Sequence, residues 1–413
     1  MTKPTVWVLL VAFLQLPALT RAEDWNQWRG SHRDGVAADF HHAWPRELER
    51  VWVRTVGGGI SGPVIDGDTV FVHTRRGKSE VVTALALDSG EIRWSDNDNT
   101  RFQQRYDAGR FGSGPFATPA VTDGTLFTYG PDGILTAYNA LTGKRRWRVD
   151  FKRHYAAVDV EYGVTSSPLV VDGKVVVQAG GLRAGGIAAV DVDTGKIAWT
   201  WEGDRAGYAS PVAATIDSVE QVITQTQVNV VGLDASTGEL LWKVPFRAGD
   251  RNNIVTPVVV EDRVILSGYH MGTEARRIAR GRDRWTASRL WHTREVWSFL
   301  STPVATGRWL HGYSDTKRGR LYTLDSRTGE LVWSSGGRLA DHASVIATAK
   351  DILMLTEQGV LTVYRREREV LVRQQSYDVA DSETWAHPAL AGSYLIVKDN
   401  DSVSVWRVAP ATP

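Results

Sequence analysis

The 413-residue chain contains no cysteine. That absence excludes disulfides, thiolate zinc sites, iron–sulfur clusters, a cysteine nucleophile and a lipid-modified N-terminal cysteine. An excess of charge of one sign is missing too: 48 Lys and Arg stand against 47 Asp and Glu, for a formal net charge of +1. So even a balance gives no general attraction to nucleic acid or to an anionic membrane. Lysine is scarce, with 10 residues against 38 arginines. Beyond the N-terminus no run is long and apolar enough to cross a bilayer core, which takes about 20 residues. Helix-forming runs are few. The chain is instead rich in Trp (17) and Gly (39), in a globular composition of 42% hydrophobic and 23% charged residues. This composition argues against wholesale disorder and leans towards β structure.

Residues 1–22 read as a signal peptide. Lys3 is a short positive region, Val6 to Leu14 is nine apolar residues in a row, Pro17 breaks the run, and Thr20-Arg21-Ala22 is a small-x-small cleavage site. Nine residues are too few to span a membrane. Cleavage after Ala22 would leave 391 residues with 46 basic and 47 acidic groups. The expectation is a soluble monomer that is secreted or periplasmic, with no transmembrane segment and no nucleic-acid partner.

One phrase recurs along the rest of the chain: small and apolar residues, often an Asp, then Thr/Ser-Gly, three residues, Trp. It stands first as Ala84-Leu-Ala-Leu-Asp-Ser-Gly90-Glu-Ile-Arg-Trp94, then at Gly143/Trp147, Gly195/Trp199, Gly238/Trp242 and Gly329/Trp333. The glycine intervals are 53, 52, 43 and 91, and the last is two steps, with Trp291 in the hidden unit. Glu369-Val370-Leu371-Val372 is a further faded copy. A second phrase precedes each: a proline, a few apolar residues, a turn, and an alternating apolar strand. Its prolines are 63, 119, 168, 211, 257, 303 and 388, with Ser344 in the seventh unit. Asp-Gly between apolar runs, as at Asp172-Gly173, signals a hairpin, and Thr-Gly closes a second one.

Eight units of about four strands, repeating every 40–50 residues, mean propeller blades. The fold class is therefore all-β: an eight-bladed β-propeller of four-stranded blades. Its last unit, Thr384 to Val408, holds three strands, and Glu49-Arg50-Val51-Trp52-Val53-Arg54 supplies the missing one. Pairing the two ends closes the ring and removes sheet edges. The expected organisation is a leader (1–22), an N-terminal arm (23–48), the propeller (49–408) and a tail (409–413).

The A-x-D-x-x-T-G-x-x-x-W phrase resembles the blade signature of the pyrroloquinoline quinone (PQQ) repeat family of eight-bladed propellers. The opening Asp24-Trp25-Asn26-Gln27-Trp28-Arg29-Gly30-Ser31 resembles the arm of a secreted, PQQ-binding-like subgroup. The resemblance covers residues 24–408. It carries the fold, because the motif residues build blades and not a site. For function it implies two classes. One is the PQQ-dependent dehydrogenases, which hold the quinone on the propeller axis. In these a Ca²⁺ or similar cation polarises its carbonyl, an Asp acts as base, an Arg assists, and many alcohol-oxidising members add a ring of adjacent cysteines. The other is non-enzymatic propellers, such as the lipoprotein of the outer-membrane barrel-assembly machinery, anchored through a cysteine. This chain has neither the ring nor the anchor. The resemblance does not place the metal-binding Glu, Asn and Asp of the enzymes on this sequence residue by residue. The reading favours a non-catalytic scaffold with no cofactor, and the alternative is a quinoprotein oxidising an alcohol or sugar with PQQ and Ca²⁺.

Weaker signals favour structure over chemistry. Gly57-Gly-Gly59-Ile-Ser-Gly62 fits a nucleotide-loop pattern, but Pro63 and a strand follow it where a helix is needed. Asp96-Asn-Asp98-Asn-Thr100 alternates oxygen donors but lacks the Gly and distal Glu of a calcium loop, and reads as a polar turn. Ten scattered histidines give no zinc set. Arg276 to Arg294 carries seven arginines around Asp283, and 365, 366, 368 and 373 form a second stripe. Both read as solvent-facing outer strands, with an edge for acidic polysaccharide or acidic protein as the functional reading.

The loops that lead into each blade's first strand converge on one mouth of the axis. Their length varies, which costs a fold little and suits them to carry a site. The candidate lining is Arg110, Glu161, Asp204, Arg205, Tyr208, Asp250, Arg251, Asn252, Trp297, His342, Trp385 and His387. Its aromatic share suits a protein, a carbohydrate or a planar small molecule. If a cation binds, Glu161, Asp204, Asp250 and Asn252 are its ligand candidates.

Overall fold

In a computed structural model of the chain, residues 24–100, 102–104, 112–155, 162–181, 184–249 and 253–409 are described. Turn chemistry sets the strand pairing. Asp123-Gly124 and Asp172-Gly173 each link a pair of antiparallel strands, and both residues of each turn have φ between 46° and 67°. This left-handed pair matches the twist of a tight hairpin. Eight sheets result, each built on four antiparallel strands that follow sequence order in every blade but the last. We number the blades 1 to 7 from residues 64–99, 120–150, 169–201, 212–245, 258–293, 304–334 and 343–378. Blade 8 joins Ala389–Ala391, Tyr394–Lys398 and Ser402–Arg407 to Glu49–Thr55 near the N-terminus. Arg50 pairs with Trp406 and Thr55 with Ser402, so the ring closes as the sequence predicts.

The repeated Gly and Trp hold neighbouring blades together. Trp94 of blade 1 lies against Gly143 of blade 2, where a Cβ would stand 2.5 Å from the indole. Gly143 also has φ +71°, so both space and backbone demand glycine. The Trp94 Nε1–H donates to the carbonyl of Ala140 at 2.8 Å. The same indole-to-carbonyl bond joins Trp52 to Leu87, Trp147 to Val192, Trp199 to Ala235 and Trp291 to Ser326. Where blade 5 has lost its Thr-Gly turn, Trp242 bonds Gln221 in its own blade. The middle strands are buried over most of their length, as in Thr69–Arg76 and Ser79–Ala86, because each packs on two neighbouring blades.

One expectation fails. Residues 96–99 are not a turn but the end of the outer strand Ile92–Asn99. The alternating acids project from a strand, and Asp96 and Asp98 pair with Arg145 and Arg148 of blade 2 at 2.6 and 3.0 Å.

The arm is the element the sequence did not place. Residues 24–40 enter from the face opposite the mouth, where the Asp24 carboxylate accepts the N–H of Gly67 in an inner hairpin turn. The arm then fills the axis. Trp25 O accepts from Ile65 of blade 1, Asn26 O from Val121 of blade 2 and Gly35 O from Ala347 of blade 7. Val36–Ala37 adds a short parallel strand to blade 7. Trp28 Nε1 donates to Thr256 of blade 5. Arg33 donates to the carbonyls of Ser167 and Pro168 in blade 3, and Arg29 to that of Pro303 in blade 6.

Candidate functional site

The mouth starts at a hydroxyl collar. The residue before each inner-strand proline is mostly Thr or Ser. The N–H of Gly62 donates to Thr118 Oγ1, that of Thr118 to Ser167 Oγ, and that of Ser167 to Ser210 Oγ, each at 3.0 Å. Thr256 N–H continues the pattern to Thr302 at 3.2 Å. Each of these hydroxyls therefore accepts a bond from the neighbouring blade and ties the inner ring together.

Below this collar lie Arg29 and Arg33, 1% and 3% exposed. Burial lowers their pKa to about 10 and about 9, with Asp34 partly offsetting the effect on Arg29 and the Arg29 charge adding to that on Arg33. Neither makes an ion pair among the described residues, and both Nε groups are buried without a hydrogen-bond partner. The lower axis is thus packed with protein and carries two positive charges.

Of the twelve candidate residues, Arg110, Glu161, Asp250, Arg251 and Asn252 lie outside the described residues. The others fall into separate groups. Asp204 is half-buried, and its Oδ2 accepts from Thr226 Oγ1 (2.6 Å), Val228 N (3.0 Å) and Asn229 Nδ2 (2.7 Å). Burial alone would raise its pKa, but these bonds outweigh it and hold the carboxyl below its ordinary range. Its lone pairs are committed to the hairpin turn of its own blade. Arg205 is exposed beside it, and Tyr208 is buried edge-on against Tyr162, with ring centroids 5.9 Å apart. Trp297 leans on His270 at 5.1 Å and 42°. His342 stacks on Trp385 at 5.2 Å and 14°, and Trp385 Nε1 donates to Glu383.

His387 departs from the expectation. It is 8% exposed, stacked on Trp25 and edge-on to Trp28, so it packs on the arm below the mouth and does not line it. As the pre-proline residue of blade 8, it occupies the inner collar position. Burial, then the charge of Arg29, pushes its pKa down to about 3. His311, buried between Thr306 and Thr323 in blade 6, is lowered to about 3 by burial and then by Arg366. A histidine whose folded pKa is depressed contributes stability at neutral pH that is lost as pH falls. The unfolded chain takes up the proton near pH 6.5, while the folded chain resists down to about 3. Acidification from pH 7 to 4.5 is expected to cost roughly 2–3 kcal/mol for each histidine. Urea melts of the protein and of His311→Gln check this. The variant should lose about half of the pH dependence, and equal slopes would refute the assignment.

Sequence reading missed Lys398, Asp315 and His270. Lys398 is buried, and its Nζ donates to the carbonyls of Gly59 and Asp399, holding the Gly57–Gly59 loop at the mouth. Burial lowers its pKa to about 8. Among the described residues no three His, Asp or Glu are arranged to hold a metal. Of the four cation-ligand candidates only Asp204 is described, and its Oδ2 already accepts three bonds, while Arg29 and Arg33 place positive charge on the axis.

Four of the eleven stripe arginines are paired with acids of their own blades. Buried Glu274 takes Arg276 at 2.7 Å and Arg289 at 3.7 Å, Arg277 meets Asp262, and Arg365 meets Asp351. Glu274 lies two residues before the stripe and was the counter-charge to look for. A groove of about 640 Å³ is not at the mouth. It lies on the opposite face between blades 8, 1 and 2, lined by Asp24, Asp68, Arg93, Leu141 and Tyr394. There Asp68 is closed by a two-pronged bond from Arg93.

A family model of PQQ repeats, described as outer membrane protein assembly factor BamB, matches residues 78–335. The chain belongs to this family. It is 24% identical over 364 residues to the outer membrane protein assembly factor BamB of Burkholderia pseudomallei, covering 77% of this chain and 88% of that protein. It is 34% identical over 255 residues to the quinohemoprotein alcohol dehydrogenase ADH-IIG of Pseudomonas putida, covering 52% of this chain and 32% of that protein. Among solved structures, BamB from Moraxella catarrhalis superposes with a TM-score of 0.61 at 17% identity, covering 87% of this chain and 99% of that one. The Pseudomonas putida dehydrogenase ADHIIG superposes with a TM-score of 0.71 at 14% identity, covering 94% and 81%. These structural likenesses carry the fold. No helix among the described residues is long and apolar enough to cross a membrane.

Proposed function

We propose that the chain is an exported, non-catalytic scaffold that binds another protein through the mouth of the propeller. The observation that carries this reading is the filled axis: the chain's own arm, with two buried guanidiniums, occupies the inner ring. A divalent cation on that axis would meet like charge. A rigid ring with loops of uneven length is well suited to presenting a binding surface without moving. The name of the BamB relatives supports a role in assembly, and residues 1–22 support export. The sequence contains no cysteine to carry a lipoprotein's lipid.

The second reading is a PQQ-dependent dehydrogenase, favoured by the 34% identity to ADH-IIG. In it, Glu161, Asp250 and Asn252 would join Asp204 around Ca²⁺, and the bound quinone would supply the oxidising chemistry. Titration with PQQ and Ca²⁺ separates the two. The scaffold reading expects no stoichiometric cofactor absorbance and no dye reduction with alcohols or sugars. Binding with turnover would overturn it. For the mouth, Arg205→Ala/Arg251→Ala/Trp385→Ala should fold normally and lose at least about tenfold in partner affinity.

A further inference from the structure

Blades 5 and 6 build a dented aromatic shelf on the mouth side. Tyr269 and His270 lie in the turn between the second and third strands of blade 5, and Trp297 and Phe299 lie on the loop leading into blade 6. Tyr269 meets His270 at 4.0 Å and 67° and Phe299 at 4.9 Å and 44°, and His270 meets Trp297 at 5.1 Å and 42°. Met271 and Leu300 stand exposed beside them. His270 has φ +61°, so the turn carries a bulky ring where glycine would sit without strain. Trp297 Nε1 is buried and donates to nothing.

The shelf is ringed by positive charge. The adjoining turn of blade 6 carries Lys317 and Arg318, both exposed, both at positive φ, and without an ion pair among the described residues. Arg294 is exposed on the loop that carries Trp297. Arg247 is exposed between Phe246 and Ala248, which pack on Gly268 beside the shelf. Opposing these cations, the described rim offers the exposed Glu295. Asp315 in the same turn is largely buried, and although burial pushes it up to about 6 it stays mostly ionised at neutral pH, so two cations of the turn face one acid there.

We infer that this shelf docks an extended acidic peptide segment with an aromatic or aliphatic anchor. The inference rests on the mouth reading above and names its partner. Carboxylates match the cationic rim. The anchor fills the dents between the rings. Rings meeting at 42–67° offer no flat platform for a sugar face, which makes a peptide the better fit than an acidic polysaccharide.

Fluorescence polarisation with labelled hexapeptides of alternating Asp and Phe, Lys and Phe, or Ser and Phe tests it on the full chain. The acidic peptide should bind at least about tenfold tighter than the basic one and weaken several-fold as salt is raised. Lys317→Glu/Arg318→Glu, on exposed side chains, should lose about tenfold with an unchanged melting curve. Arg282→Glu, on the opposite face, should change nothing. Equal affinity for the acidic and basic peptides, or full binding by the Lys317/Arg318 variant, overturns the inference. So does tighter binding of an oligogalacturonate than of the acidic peptide. If Arg205→Ala/Trp385→Ala abolishes peptide binding while Lys317→Glu/Arg318→Glu spares it, the mouth reading stands and the shelf falls. If neither pair matters, both fall.

Discussion

Trp25→Ala is expected to lower stability by about 3–5 kcal/mol, as much as the loss of a large core aromatic. The residue lies in an arm, where a truncation would ordinarily cost little. Here its indole is 3% exposed and stacks on His387 on the propeller axis. Gly30 folds over it so closely that a Cβ there would stand 3.1 Å from the ring. Its carbonyl also accepts the N–H of Ile65 in the innermost strand of blade 1. A cavity at this point cannot collapse, because the surrounding strands are fixed by their own sheets. The arm bonds or stacks on seven of the eight blades, blade 4 excepted. Deleting residues 24–40 should therefore go further and leave a ring with unsatisfied carbonyls on its axis and no cooperative transition. Urea denaturation followed by circular dichroism measures both. A loss below about 1 kcal/mol for Trp25→Ala would mean that the arm decorates a self-sufficient ring.

The blade signature was legible because it is a packing rule written in two residues. Gly143 must be glycine to admit Trp94, and the five Gly–Trp spacings report the same contact repeated around the ring. The closing strand was legible for the same reason, since Trp52 occupies the signature position. The collar was half legible. The prolines were the visible signal, but the Thr or Ser before them at 118, 167, 210, 256 and 302 carries the bonding. The arm was recognised as an arm and not as an axial plug. Nothing in a local pattern says that Arg29 and Arg33 meet carbonyls over 130 residues away.

The site was less legible, because a loop's polarity does not reveal where its bonds go. Asp204 has the chemistry of a metal ligand, yet Thr226, Val228 and Asn229 take its oxygen. His387 precedes a proline and so faces the arm. Asp315 and His270 stand in short turns with no motif, and only the ring contacts and burial mark them out.

Trp52→Ala should cost about 3–5 kcal/mol and should also open the ring at one place. Trp52 is 7% exposed and joins the two ends of the chain to blade 1. Its own strand completes blade 8, opposite Val405, while its Nε1–H donates to Leu87 and its ring covers Gly90 of blade 1. An equivalent truncation at Trp147 loosens two blades that remain joined through an unbroken chain. At Trp52 the strand Glu49–Thr55 is tied in by pairing alone, with Arg50 bridging to Asp381 and lying over Trp406 at 4.6 Å. The two variants should thus have similar stability losses but different opening behaviour. Hydrogen exchange at residues 49–55 and proteolysis in 41–56 should accelerate at least about tenfold in Trp52→Ala, and little in Trp147→Ala. Gly90→Val should reproduce the Trp52 result from the other side of the contact. Its φ of +67° is strained for valine, and its Cβ would lie 2.6 Å from the Trp52 ring. Equal exchange in all three variants would mean that the closure is not the weak point of the ring.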